Sequence, residues 1–225
     1  MFFCQTEHER KGVCKHFGIK TSKAKLLYLP VQLPRVVDRK VTHRHQTEKV
    51  ILFVGRLNKL KGIDLLIKAA IPLIKKDLQV RLVIVGRDDG EEGNLRELIP
   101  DDLKNRIMFT GPLYGKDVEN LYRKAWCFAI TPRFFEETST AALEALSHGV
   151  PVVVTRGADV PHLEEYKAGF IVENKPEVIA QAIQRVIDWR VNDPHAVRKR
   201  TISLVKDKFF SSHIAKQLIV YLKNV

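Results

Sequence analysis

The stretch Val50-Ile51-Leu52-Phe53-Val54-Gly55-Arg56-Leu57-Asn58-Lys59-Leu60-Lys61-Gly62 decides the fold. Its first five residues are a short apolar run closed by glycine, which reads as a buried strand. Beyond Gly62, the residues Ile63, Leu66, Ile67, Ala70, Ile71 and Ile74 recur at i, i+3, i+4, i+7, i+8 and i+11, one face of an amphipathic helix. Strand, loop and helix in that order open a parallel sheet. Pro72 is expected to kink or shorten the last turn of the helix, because proline lacks the N–H that the ladder needs.

The same unit repeats along the chain. Apolar runs at 82–85, 106–109, 126–130, 152–154 and 169–172 supply five more strands, the first closed by Gly86. Helical patterns fill 116–125, 138–148 and 176–190, the last with Ile179, Ala182, Ile183, Val186 and Ile187 on one face. The expected fold class is α/β: a doubly wound, Rossmann-like parallel sheet with its ligand at the carboxyl ends of the strands.

That placement draws attention to the loop from Gly55 to Gly62. It follows a strand and leads into a helix, whose first turn offers free N–H groups and a positive dipole end. Arg56 can grip phosphate with two donors and Lys61 adds a point charge. A solvated basic turn explains the same residues. Neither the G-x-G-x-x-G of a dinucleotide site nor the G-x-x-x-x-G-K-[ST] of a P-loop is present.

A second stretch, Phe134-Phe135-Glu136-Glu137-Thr138-Ser139-Thr140-Ala141-Ala142-Leu143-Glu144-Ala145-Leu146-Ser147, carries two separated glutamates. From Thr138 to Ser147 nearly every residue is small or aliphatic, as in a helix covered on most sides, and Glu144 is its only charge. A carboxylate inside such a helix needs a partner or a wet cleft, so Glu144 reads as a ligand contact, as half of a structural ion pair or as part of a simple exposed stripe. Asp88-Asp89 invites a metal-site reading but lies among other acids in a loop and reads as solvated. His148 precedes Gly149-Val150-Pro151 and reads as a neighbour of a helix C-cap, while Trp126 and Phe128 read as core.

At 225 residues the chain holds one good-sized domain with extensions, and 45% hydrophobic with 28% charged residues is ordinary for a folded protein. Three cysteines, Cys4, Cys14 and Cys127, lack metal spacing or a C-x-x-C pair and read as free thiols of a reducing compartment. The start of the chain does not read as a signal peptide, and no apolar run suits a membrane span. The net charge of +12 sits at the ends: residues 1–49 carry eleven Lys or Arg against four acids, 190–225 eight against two, and 50–189 nineteen against twenty. Basic flanks without interleaved aromatics suit an anionic membrane, another domain or solvent better than nucleic acid. The expected setting is cytoplasmic, with peripheral membrane contact through those flanks.

The flanks also differ in architecture from the centre. Residues 2–6 and the charged stretch to Phe17 read as one strand and one helix, a strand without a sheet of its own. Residues 26–30 suggest another short strand, and the basic segment 31–48, with Pro34 in it and Pro30 just before it, a linker. At the far end Ile214, Leu218, Ile219 and Leu222 form an apolar stripe on a last helix that needs a surface to cover.

Taken together, Val54-Gly55-Arg56-Leu57 with Lys61-Gly62, then Val85-Gly86, Phe109-Thr110-Gly111, Glu136 to Glu144, and Ala145-Leu146-Ser147-His148-Gly149-Val150-Pro151 resemble the C-terminal domain of retaining glycosyltransferases of the GT-B fold, the family-four or group 1 enzymes. The resemblance covers residues 50–173 strongly and the flanks loosely; each element is weak alone, and five in order are specific. It implies that Arg56 and Lys61, beside Gly55, neutralise the diphosphate of a nucleotide-sugar donor. Glu144 is implied to hold the ribose, and Glu136, first residue of the E-x7-E motif, to meet the donor sugar. Thr138 and Ser139, by their hydroxyls and the helix N-terminus, are implied as further donor contacts. Catalytic contributions then fall to Glu136, Arg56 and Lys61, with no metal and no cofactor required. Where the family usually has glycines after the first glutamate, this chain has Glu137-Thr138-Ser139, which restricts how closely a ligand approaches the backbone.

The expected organisation is the tail of an absent N-terminal acceptor domain in 1–30, a linker in 31–49, a donor-binding domain in 50–204 and a crossover helix in 205–225. Such a donor half should not transfer sugar by itself. A noncatalytic nucleotide-binding module would use the same loop, and an NAD-dependent oxidoreductase domain is disfavoured by the missing glycine fingerprint.

Overall fold

The computed structural model describes residues 1–34, 48–136 and 138–223. Most of the segment read as a linker, residues 35–47, lies outside the described residues. The centre of the chain builds a six-stranded sheet from β3 (Lys49–Val54), β4 (Val80–Val85), β5 (Ile107–Phe109), β6 (Ala125–Ile130), β7 (Val152–Thr155) and β8 (Gly169–Val172). The order is β5-β4-β3-β6-β7-β8, and every pair is parallel. The order reverses between β3 and β6, so the crevice at their carboxyl ends is where an open sheet of this kind takes its ligand. One continuous core runs from Val50 to Phe209, with Ile51, Leu52 and Phe53 of β3 and Cys127 and Phe128 of β6 wholly buried.

Helices cover both faces, as a parallel sheet requires. α2 (Ile63–Lys76) and α6 (Pro176–Asn192) pack on each other over one face, while α4 (Lys116–Lys124) and α5 (Thr140–Ser147) cover β3, β6 and β7. Two helices escaped the sequence pattern: the short α3 (Glu92–Glu97), and α7 (Pro194–Leu204), which Asp193 caps by accepting from the Ala196 N–H. α2 runs through Pro72 without stopping. The proline lies on the exposed face, where a carbonyl that loses its partner is open to solvent, while Leu73 and Ile74 beyond it are buried and hold the last turn in place. Arg106 stands just before β5 rather than in it. Its guanidinium is buried and donates to the carbonyls of Ile74 at 2.6 Å, Asp77 at 2.5 Å and Val80 at 3.1 Å, tying the end of α2 to the start of β4.

The N-terminal strand has a partner after all. β1 (Phe2–Cys4) pairs in parallel with β2 (Ala24–Leu26), and α1 (Glu7–Phe17) makes the crossover. β2 starts before the 26–30 run because a tight turn over Thr21–Lys23 delivers the chain beside β1, with Cys4 and Ala24 sealed beneath. At the other end, Val205 and Phe209 sit in the main core as a wide helical turn, and α8 (Ser211–Lys223) begins only at Ser211. α8 reaches the small sheet: Gln217 donates to the Leu26 carbonyl, and the ring of Tyr221 stacks on Phe3 at 6.1 Å. Of its apolar stripe, Ile214 is buried while Ile219 and Leu222 stay exposed.

Candidate nucleotide site

The loop after β3 is pinned to the sheet by its own apolar residue. Leu57 is buried and bridges to Asp88, while Asn58 accepts from the Lys61 N–H and closes a short turn. Gly62 ends that turn at φ +60°, a conformation that carries no penalty for glycine alone, and hands the chain to α2. Thr131, just past the end of β6, donates from Oγ1 to the Gly62 carbonyl at 2.8 Å, locking the end of β6 to the turn that follows β3.

This construction brings Lys61 and Glu136 together. Lys61 Nζ lies 2.6 Å from Glu136 Oε2, with both side chains about a quarter exposed or less, at 20% and 25%. Glu136 is held from behind, where its N–H donates to the Gly157 carbonyl at 2.6 Å. Arg56 is not part of the pair. Its side chain is 64% exposed and reaches Asp89, at 3.4 Å. Asp88 is structural, since its Oδ1 accepts from the N–H groups of Gly90, Glu91 and Glu92; these bonds, that of Glu92 first, hold its carboxyl below the usual range. Among the described residues no cluster of His, Cys, Asp and Glu has metal-binding geometry.

The residues between Glu136 and Glu144 divide their labour. The helix expected over 138–148 begins at Thr140, because Ser139 is the N-cap and its Oγ accepts from the Ala142 N–H at 3.3 Å. Thr138 is 5% exposed, and its buried Oγ1 finds no hydrogen-bond partner among the described residues. Glu144 corrects the premise of a buried charge. Its neighbours Ala142, Leu143, Ala145 and Leu146 are buried, yet its own side chain is exposed, because α4 and α5 part to leave a cleft of 660 Å³. Glu144 forms no ion pair with a lysine or arginine among the described residues. Its Oε2 accepts from the Tyr122 hydroxyl at 2.9 Å. The cleft continues past Glu144 to His148 and to Val31–Leu33 of the chain leaving the small sheet.

Sequence reasoning passed over Tyr122, since an aromatic at a core spacing looks like filler. It also missed the contact between the N-terminal unit and the site. His8 stacks on Phe135, next to Glu136, with ring centroids 3.9 Å apart. Thr6, the N-cap of α1, accepts from the Glu9 N–H. Burial pushes the Asp159 carboxyl up, against the opposing influence of the Thr6 side chain and of His8.

His148 ends α5. Its Nδ1 lies 2.8 Å from the Glu144 carbonyl and must carry the proton, since a carbonyl only accepts, and Nε2 is buried with no partner among the described residues. Burial holds this imidazole below its ordinary value, against the pull of the Glu144 carbonyl and the Glu119 and Glu144 charges and with that of Arg123. A depressed imidazole favours the fold in its neutral form, so its contribution is complete above the unfolded value of about 6.5 and is lost as pH falls through the window beneath it. Urea midpoints from pH 7.5 to 5 should therefore drop more steeply for the native chain than for His148→Gln; parallel curves would show that His148 protonates without cost.

Residues 48–188 match the family described as glycosyl transferases group 1, and the chain belongs to that family. It is 27% identical over 228 residues to an uncharacterized glycosyltransferase of Methanocaldococcus jannaschii, covering 93% of this chain and 56% of that protein. A D-inositol 3-phosphate glycosyltransferase of Corynebacterium jeikeium is 33% identical over 148 residues, which are 62% of this chain and 35% of that protein. The chain spans about half the length, or less, of these relatives. Among solved structures, HepE of Anabaena in complex with UDP superposes with a TM-score of 0.79 at 20% identity, covering 99% of this chain and 63% of that one. A glycosyltransferase from Rickettsia africae gives 0.81 at 19% identity, covering 98% and 62%. These likenesses establish the GT-B type of α/β fold.

Proposed function

We propose that this chain is the donor-binding half of a retaining glycosyltransferase that takes a sugar from a nucleoside diphosphate sugar. The observation that carries the reading is the Lys61–Glu136 pair at the switch point of the sheet, one helix away from a glutamate that faces a cleft. Lys61 and Arg56 neutralise the diphosphate as it departs with the electrons of the broken sugar–oxygen bond, and the N-terminus of α5 adds its dipole. Glu136, released from Lys61 by the diphosphate, turns to the sugar hydroxyls, and Glu144 takes the ribose. The solved HepE structure holding UDP supports a nucleoside diphosphate as the ligand class. Cations of the chain supply the neutralising charge, so this reading calls for no metal.

The acceptor binds to a domain that the small β1-α1-β2 unit completes. The basic residues Lys11, Lys15 and Lys20 around α1 offer that assembly a face for an anionic membrane. No helix among the described residues is long and apolar enough to cross one. Titration calorimetry with UDP, GDP, ADP and NAD, with and without EDTA, tests the reading. At least one diphosphate should bind, NAD should not, and EDTA should change nothing. The chain alone should release sugar from a bound donor to water slowly and pass none to an added acceptor. Binding of NAD in preference to all three diphosphates would overturn the assignment.

A further inference from the structure

Glu144 has three rotatable bonds and an exposed position, so nothing on its own helix fixes where its carboxylate points. The neighbouring helix does. Tyr122, in the last turn of α4, is 1% exposed and sends only its hydroxyl out to Glu144 Oε2. The ring itself cannot swing, because it lies between His148, stacked at 5.2 Å and 24°, and Phe128 of β6, 6.2 Å away. His148 is in turn held by its Nδ1–H bond to the Glu144 carbonyl. Tyrosine, histidine and the backbone of the glutamate thus close a loop of contacts around one carboxylate.

We propose that Tyr122 is a positioning residue for nucleotide recognition, presetting the Glu144 carboxylate so that it meets both hydroxyls of a ribose. This rests on the reading of Glu144 as the ribose contact. A carboxylate has about four acceptor positions. The tyrosine takes one on Oε2, and Oε1 makes no hydrogen bond among the described residues, which leaves room for two hydroxyl donors from a 1,2-diol. Burial, first, and the adjacent Glu144 charge hold the Tyr122 phenol far above its ordinary value, so it stays a donor throughout the working pH range. Fixing the carboxylate before the ligand arrives removes the rotamer freedom that binding would otherwise have to freeze. Arrangement of this kind shows in discrimination between ligands with and without the diol, whereas simple packing of a tyrosine does not.

The test measures affinities of UDP, GDP and ADP and of their 2′,3′-dideoxy counterparts for the native chain, Tyr122→Phe, Glu144→Ala and the double variant, with thermal melting to confirm folding. The native chain should prefer the ribonucleotide by about tenfold or more, as expected for hydrogen bonds to a charged group. In Tyr122→Phe that preference should shrink to within about threefold of the Glu144→Ala value, and the double variant should lose nothing further, the signature of coupled residues. Full discrimination in Tyr122→Phe, or equal weakening of both ligands, overturns the positioning role while leaving the nucleotide site intact. Binding without discrimination by the native chain removes Glu144 from the ribose. Failure of all three diphosphates to bind overturns the donor-site reading itself.

Discussion

Gly62→Ala should cost about 4 kcal/mol of folding stability or prevent folding, one of the few single-methyl changes with an effect of that size. A Cβ built on Gly62 would stand 2.1 Å from the carbonyl oxygen of Thr131. Thr131 cannot retreat, because it is wholly buried and its own hydroxyl is bonded back to Gly62. Gly111 separates the two components of the loss. It also has a positive φ, of 71°, but a Cβ there meets nothing within 4 Å, so Gly111→Ala should lose only the left-handed penalty of about 1–2 kcal/mol. Urea titration of both variants measures the difference. Equal losses would mean that the strand-to-helix junction yields to the methyl group, and that the tight lock between the end of β6 and the turn after β3 is not what places Lys61.

Lys61→Ala and Glu136→Gln should move nucleotide affinity in opposite directions. Removing the ammonium deletes a charge-assisted contact to the diphosphate, and UDP, GDP or ADP should bind about 10- to 150-fold more weakly, corresponding to about 1.5–3 kcal/mol. Glu136→Gln leaves the ammonium in place without its 2.6 Å carboxylate partner. A sugarless diphosphate then no longer competes for Lys61, and its affinity should rise about 2- to 10-fold, the range of one ordinary net hydrogen bond. The same variant in an enzyme complete with its acceptor half should lose transfer, because the group assigned to the sugar is blunted. Calorimetry on the two variants decides the matter: a fall in both would show that Glu136 supports the site instead of competing within it, and no change in either would place the diphosphate elsewhere.

The six-stranded sheet was legible because a strand buried on both faces leaves an unbroken apolar run, and β3, β4, β6 and β7 all have one. The pairing of β1 with β2 was hidden because each is three residues long, and the turn that aligns them carries no glycine or proline to mark it. Pro72 did not end the helix because a proline's effect depends on which face it occupies, and the face follows from tertiary packing. Arg106 misled, since a charged residue before an apolar run gives no hint that three carbonyls converge on it. At the site, Lys61 could be named from its place in a loop between a strand and a helix, Glu144 as the lone charge of an otherwise apolar stretch, and Glu136 from the family resemblance. Which of them touch could not, as Lys61 and Glu136 lie 75 positions apart. Tyr122 was invisible for a different reason: its ring obeys the core pattern, and only the last atom of the side chain bears on the ligand.

The contact between the N-terminal unit and the candidate site has a mechanical consequence. His8 of α1 stacks on Phe135, with ring centroids 3.9 Å apart, and the next residue, Glu136, is bridged to Ala158. A rotation of the N-terminal unit relative to the large sheet must therefore either part the two rings or carry Phe135 along. Carrying Phe135 pulls on the bridge beside it, so a displacement of α1 is felt at Glu136 and, through the 2.6 Å contact, at Lys61.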